Sequence, residues 1–177
     1  TRKPVLSLSV PETSFLNDLT VRDDHTLFAS ATDLGKIAEV DLTTRTYTFL
    51  ALPPLQGQNG LWYERSNNTL YCVEFGAENK PNGDVIAISF APLQMQKMSA
   101  VQGYLDGVQM YNGALYVSDW KAFEKKGVVN VVVSATGATS VLSLPELIGG
   151  PADFFVSSDG YLLVPAMLEN RVYIRKL

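Results

Sequence analysis

The sequence predicts an all-β chain folded as a β-propeller with four blades. Three observations carry that reading. First, one motif recurs: a small polar pair, a short apolar run, a turn and a second apolar strand. It stands at Leu16-Asn17-Asp18-Leu19-Thr20-Val21, Gln58-Asn59-Gly60-Leu61-Trp62-Tyr63, Leu105-Asp106-Gly107-Val108-Gln109-Met110 and Pro151-Ala152-Asp153-Phe154-Phe155-Val156. The steps are 42, 47 and 46 residues (17 to 59, 59 to 106, 106 to 152), a period at which repeats made only of strands build propeller blades. Second, no segment carries a helical pattern. Third, Gly, Pro, Asn and Asp signals punctuate the chain about every ten residues, as in an all-β repeat protein.

The elements follow in order. Val5-Leu6-Ser7-Leu8-Ser9-Val10 alternates apolar and polar, the period of a half-exposed strand, and Pro11 ends it. The first blade, near residues 17–50, has its inner strand at Leu19–Val21 and a polar turn at Arg22-Asp23-Asp24-His25. Strands follow at Thr26–Ser30, Ile37–Asp41 and Tyr47–Leu50. The second blade, 59–101, repeats the plan with strands at Leu61–Tyr63, Leu70–Val73, Val85–Ile88 and Gln96–Val101. The third, 106–144, turns at the hairpin dipeptide Asn112-Gly113, and its valine-rich run 128–133 reads as a buried strand. The fourth, 152–177, stops after three strands, so residues 5–10 are expected to serve as its outer strand and hide two open edges. No linker or low-complexity stretch divides the 177 residues, which are read as one domain.

Composition narrows the function classes. Hydrophobic residues at 46% and charged residues at 18% are ordinary globular values. A net charge of −4 with scattered basic residues argues against a nucleic-acid partner, which needs a basic stripe. No apolar run reaches 18 residues, so no membrane-spanning helix is expected. Cys72, the one cysteine, lies in the apolar run Leu70-Tyr71-Cys72-Val73 and reads as a buried thiol. The one histidine, His25, sits among polar turn residues, so no Ser-His-Asp arrangement is expected. Asn67-Asn68-Thr69 is a glycosylation sequon on a turn, relevant only to a chain secreted by a eukaryote.

The start of each inner strand of a propeller faces the channel mouth, so residues 17, 59, 106 and 152 are expected to converge near the axis. Amide and carboxylate oxygens gathered there are hard donors suited to Ca²⁺, Mg²⁺ or Mn²⁺. The same residue types also make tight turns into strands. Asp119-Trp120 ends a second strand, where an Asp commonly fixes the following loop. Tyr104, Trp62 and Trp120 either shape a pocket or pack between blades.

The ordered set Phe15-Leu16-Asn17-Asp18, Gln58-Asn59-Gly60-Leu61 and Leu105-Asp106-Gly107-Val108 resembles the senescence-marker-protein/gluconolactonase family. Leu115-Tyr116-Val117-Ser118-Asp119-Trp120, Pro151-Ala152-Asp153, Leu163-Val164-Pro165-Ala166 and Asn170-Arg171-Val172 fit the same group. The resemblance implies a six-bladed propeller with a divalent metal in its channel, of which this chain looks like the last four blades. It implies hydrolysis of a lactone or related ester. Asn17, Asn59 and Asp106 would be metal ligands, Asp106 would also be the catalytic base, and Asp18 and Asp153 would be substrate-binding residues. The implied ion is Ca²⁺ first, with Mg²⁺, Mn²⁺ or Zn²⁺ as alternatives, and the implied compartment is periplasmic or secreted. The family's ligand glutamate has no counterpart here, and Glu74 and Glu169 are the carboxylates considered in its place. Two other outcomes stay open: a non-catalytic binding propeller, and an incomplete one that needs further blades or a second copy.

Overall fold

The computed structural model describes residues 6–177, the Asn79 side chain excepted. Strands and two three-residue 3-10 turns, Thr32–Leu34 and Ala77–Asn79, make up its regular structure. The first sheet runs β1 (Leu16–Val21), β2 (Thr26–Ala31), β3 (Lys36–Asp41) and β4 (Thr46–Phe49). The second runs β5 (Gln58–Glu64), β6 (Thr69–Glu74), β7 (Gly83–Phe90) and β8 (Leu93–Gly103). The third runs β9 (Leu105–Tyr111), β10 (Ala114–Asp119), β11 (Lys125–Val133) and β12 (Thr139–Val141), with a short β13 (Ile148–Gly149) on the start of β11. The fourth has three strands: β14 (Phe155–Val156), β15 (Tyr161–Ala166) and β16 (Arg171–Lys176). Each sheet is an antiparallel meander in chain order, and the four are the blades of a β-propeller.

Turn chemistry sets the meanders. Asn112 and Gly113 both adopt positive φ (49° and 78°), the backbone that a two-residue hairpin between right-twisted strands demands. Asp23 accepts the backbone N–H groups of His25 and Thr26 at 2.9 and 2.8 Å. Asp41 does the same for Thr43 and Thr44 at 2.7 and 3.0 Å, so each polar turn closes on its own carboxylate.

Packing between blades makes the core. Phe28, Ile37, Leu61, Leu70, Ile86 and Ile88 bury themselves between the first two sheets. Val73, Val85, Leu105, Leu115, Val117 and Val132 do so between the second and third, and Val129, Ile148, Val156, Leu162 and Val164 between the third and fourth. Buried amides tie the blades as well. Gln109 donates Nε2 to the Val156 carbonyl at 2.8 Å and accepts the Val156 N–H at 2.7 Å. Gln58 donates to the carbonyls of Ala31 and Lys36, and Thr32 donates to the Gln58 carbonyl at 2.7 Å.

Two strand expectations need correction. Residues 6–10 form no strand, and among the described residues the fourth blade has three; Val5 lies outside them. The stretch belongs instead to the first blade. Leu8 lines a cleft with Tyr47 and Phe49, and Tyr47 donates its hydroxyl to Glu12. Asp33 accepts the Ser14 N–H at 2.9 Å and the Thr13 hydroxyl. These ties, made by Glu12, Thr13 and Ser14, hold the chain that follows residues 6–10 against β4 and the turn before β3, at the opposite end of the row of blades from β16. The outer strand of the second blade also begins earlier than expected and runs eleven residues, 93–103.

Candidate functional site

Three of the four polar pairs that mark the repeat sit on β-bulges; the fourth, Ala152-Asp153, lies just before β14. Pairing slips between Leu16 and Leu19 in β1, between Gln58 and Leu61 in β5, and between Leu105 and Val108 in β9 as they face β2, β6 and β10. A bulge leaves a residue unpaired in the ladder and re-aims its side chain. Asn17-Asp18, Asn59-Gly60 and Asp106-Gly107 fall in those gaps. Buried serines satisfy the N–H groups that two bulges set free. Ser30 accepts from the Asp18 N–H at 2.9 Å, and Ser118 from the Gly107 N–H at 2.8 Å.

The glycines of the motif serve close approach rather than turning. Neither Gly60 nor Gly107 has a positive φ. A Cβ on Gly60 would stand 2.4 Å from the Asp106 carbonyl, and one on Gly107 would stand 2.6 Å from Asp153 Oδ1 and 2.8 Å from the Asp153 Cα. Successive inner strands therefore converge at their starts until only a hydrogen fits between them. That convergence brings together Asp18, Asn59, Asp106 and Asp153, from four different blades.

Asp18 is half-buried and reaches across to the second blade, where its Oδ2 accepts the Leu61 N–H at 2.7 Å; its Oδ1 accepts the Leu19 N–H at 2.7 Å. Asp106 is half-buried and its Oδ2 accepts the Trp120 indole N–H at 2.8 Å. The Asp153 N–H and the Asn59 side chain also hydrogen-bond to it. Burial is the main cause that pushes both carboxyls up to about 6, and the charge of Asp153 adds to each. Asp106 also raises Asp18, and burial raises Asp153. These are groups able to gain and lose protons near neutral pH. Asn59 is buried and Asn17 is exposed; Asp153 is exposed as a residue, although its carboxyl is crowded enough to be partly desolvated.

Other sequence expectations resolve plainly. Glu74 is buried but spends its two oxygens on the Gln56 and Asp84 N–H groups at 2.7 and 3.1 Å. Glu169 holds the Gly149 N–H at 2.6 Å and the Lys125 ammonium at 2.8 Å. Neither is among the groups that shift the carboxyls of Asp18, Asp106 or Asp153. Among the described residues no group of three or more His, Cys, Asp or Glu side chains is arranged to hold a metal ion. Cys72 is fully buried, and burial raises its thiol well above the usual range. Asp119 fixes the loop that follows it. Its carboxylate accepts the Lys121 N–H at 2.9 Å and pairs with the Lys121 ammonium at 2.7 Å. Sequence reasoning did not find the Trp120–Asp106 bond or the two serines, because nothing in the local pattern says which residues of different strands meet.

No protein-family profile matches the chain, and no curated protein does. Solved structures do resemble it. A chain of a nidogen/laminin complex superposes with a TM-score of 0.76 at 15% identity, over 94% of this chain and 61% of that one. Virginiamycin B lyase from Staphylococcus aureus, with quinupristin, gives 0.68 at 12% identity over 95% and 58%. A gluconolactonase from Xanthomonas campestris gives 0.65 at 15% identity over 85% and 54%. The chain thus spans less than two thirds of the length of each. At these identities the likeness establishes the β-propeller fold.

Proposed function

We propose that this propeller hydrolyses a lactone or related ester at the start of its inner strands, with Asp106 as the general base. The observation that carries the reading is the pair of half-buried carboxyls, Asp18 and Asp106, poised at about 6 where four blades converge. A gluconolactonase among the similar folds supports it. In this mechanism the Asp106 carboxylate takes a proton from a water molecule as the water oxygen bonds to the ester carbonyl carbon. The tetrahedral oxyanion then collapses, the ring C–O bond breaks, and the proton passes from Asp106 to the departing alkoxide. Trp120, Asn59 and the Asp153 N–H keep the base aimed. Asp18 and Asp153 bind the substrate beside the base.

A divalent cation, Ca²⁺ before Mg²⁺, Mn²⁺ or Zn²⁺, fits the chemistry of these donors. Asp153 raises the carboxyls of Asp18 and Asp106, Asp106 also raises Asp18, and no basic side chain is among the groups that shift the three. Asn17, Asn59 and Asp106 would hold the ion through two amide oxygens and one carboxylate. When bound, it would polarise the ester carbonyl. A periplasmic or secreted location suits a calcium-dependent site of this kind.

The test is hydrolysis of δ-valerolactone by the wild type and by Asp106→Asn, with and without added Ca²⁺. A loss of about 10²- to 10⁴-fold in the variant is expected for a lost general base. Equal rates in both proteins at every metal would sink the reading. A second reading, that this arc works only once further blades or a second copy cover its ends, is favoured by exposed Leu19 and Val21 at one end and Phe155, Val172 and Ile174 at the other. A solution mass of a single chain with full lactonase activity would overturn it.

A further inference from the structure

Four aromatic rings lie beside the carboxylates at the inner-strand starts, where the second and third blades meet. Phe75 follows β6, Tyr104 joins β8 to β9, and Trp120 and Phe123 occupy the loop after β10. All three connections are at the end of the strands where Asn59 and Asp106 sit, since Gln58 pairs with Glu74 and Leu105 with Asp119. The rings form a continuous cluster. Phe75 is 5.2 Å from Tyr104, 6.2 Å from Trp120 and 6.1 Å from Phe123, and Phe123 is 5.4 Å from Tyr104 and 5.7 Å from Trp120. Trp120 is the joint between this cluster and the site, because its indole N–H is the donor to Asp106.

Burial within the cluster is uneven. Trp120 is 7% exposed, as a packing residue should be, whereas Phe123 is 59% exposed although it touches three other rings. The loop that carries Phe123 is held in place. Asp119, fully buried, binds the N–H and ammonium of Lys121, which adopts a positive φ of 58°, and the Ala122 N–H donates to the Trp120 carbonyl at 2.6 Å. Gly103 makes room for this anchor, since a Cβ there would stand 2.3 Å from Asp119 Oδ2. A fixed loop that presents an aromatic face outward, beside polar groups that could orient a ligand, has the composition of a small-molecule subsite.

We infer that Phe75, Tyr104, Trp120 and Phe123 form an aromatic wall of the substrate site and select neutral lactones that carry an aryl ring. The inference rests on the proposed lactone hydrolysis and names its substrate class. The aryl ring stacks on the exposed face of Phe123, while the fused lactone carbonyl lies toward Asp106. The neighbouring carboxylates favour neutral over anionic substrates and repel the hydroxy-acid product. Its carboxylate is formed beside Asp18, Asp106 and Asp153.

The experiment has a binding arm and a turnover arm. In the binding arm, chroman, which has the ring system of an aryl lactone without the hydrolysable ester, is titrated against Trp120 fluorescence in a Trp62→Phe background. Saturable quenching is expected, with a dissociation constant about three- to tenfold weaker in Phe123→Ala and restored in Phe123→Tyr, the range expected for loss of one aromatic contact. Equal dissociation constants in parent and Phe123→Ala, or no quenching at all, would overturn the wall. In the turnover arm, the ratio of kcat/KM for dihydrocoumarin to that for δ-valerolactone is expected to fall by a similar factor in Phe123→Ala. An unchanged ratio would overturn the aryl selectivity. If neither lactone is hydrolysed by the wild type while chroman still binds through Phe123, the lactonase reading fails and the aromatic subsite stands.

Discussion

The first and third blades begin with the same motif but give it different surroundings. At the head of β9, Leu105 is fully buried and Asp106 is bonded by the Trp120 indole, the Asp153 N–H and Asn59. At the head of β1, Leu16 and Asn17 are exposed, and Leu19 and Val21 are 61% and 50% exposed on the face turned from the second blade. The third blade has sheets on both faces and the first has one. What separates the equivalent residues Asn17 and Asp106 is desolvation, which a repeat unit cannot supply to itself; in the first blade only Asp18, the residue that reaches the second blade, is withdrawn from water. The same contrast divides the third blade from the fourth, whose outer face exposes Phe155, Val172 and Ile174. A motif in a repeat protein therefore acquires chemistry from its neighbours.

The largest expected effect breaks the comparison at its chemical end. Asp106→Asn should remove most lactone turnover, whereas Asn17→Ala at the equivalent place on β1 should cost far less in the metal-free protein; comparable losses would mean that the two heads are not different in kind. Next in size is packing. Leu115→Ala, between the second and third blades, should lower unfolding free energy by about 2–5 kcal/mol, while Ile174→Ala on the open outer face should stay within about 0.5 kcal/mol. Urea melts of both variants would measure this, and a large loss at Ile174 would show that its face is covered in solution.

A third prediction concerns pH. The Asp18 carboxyl is raised to about 6 in the folded protein from an ordinary value of 3.8. Between those values the folded state holds a proton that the unfolded state has released, so this group's contribution to stability falls as pH rises through that window. Asp18→Asn should therefore gain thermal stability relative to wild type on going from pH 4 to pH 7. A difference in Tm that does not change with pH would contradict it. The smallest effect is at the indole. Trp120→Phe removes one donor to Asp106 and should raise the Asp106 carboxyl further, shifting the acid limb of the pH–rate profile upward while leaving the fold intact. An unmoved limb would mean that Asp106 is not the titrating base.

The local pattern settled a good deal. The 42- to 47-residue recurrence, the turn residues and the strand periods were sufficient for an all-β chain of four blades, because each hairpin is specified by contiguous residues such as Asn112-Gly113 and Asp41-Leu42-Thr43. Of the positions that gather at the strand starts, 59 and 106 follow from the repeat, but the first and fourth blades contribute Asp18 and Asp153 rather than the expected residues 17 and 152. The local pattern gives Gly60 and Gly107 no role beyond membership of the repeat motif. Their reason is the nearness of the next blade's backbone, which no single repeat contains.

Tertiary structure decided the rest. Residues 6–10 alternate like a strand, yet whether a strand forms depends on an available edge, and the residues just after them, Glu12, Thr13 and Ser14, are tied to Tyr47 and Asp33 of the first blade instead. Glu74 and Glu169 sit near strand ends as candidate carboxylates, but backbone donors and Lys125 occupy them. The sequence by itself determined the repeat, its strands and the polar residues at their heads, because those rest on short-range periodicity and turn chemistry. Only the packing of blade on blade decided which heads are desolvated, which carboxyls rise toward neutrality and which aromatic rings meet beside Asp106. Those properties belong to contacts between residues far apart in the chain.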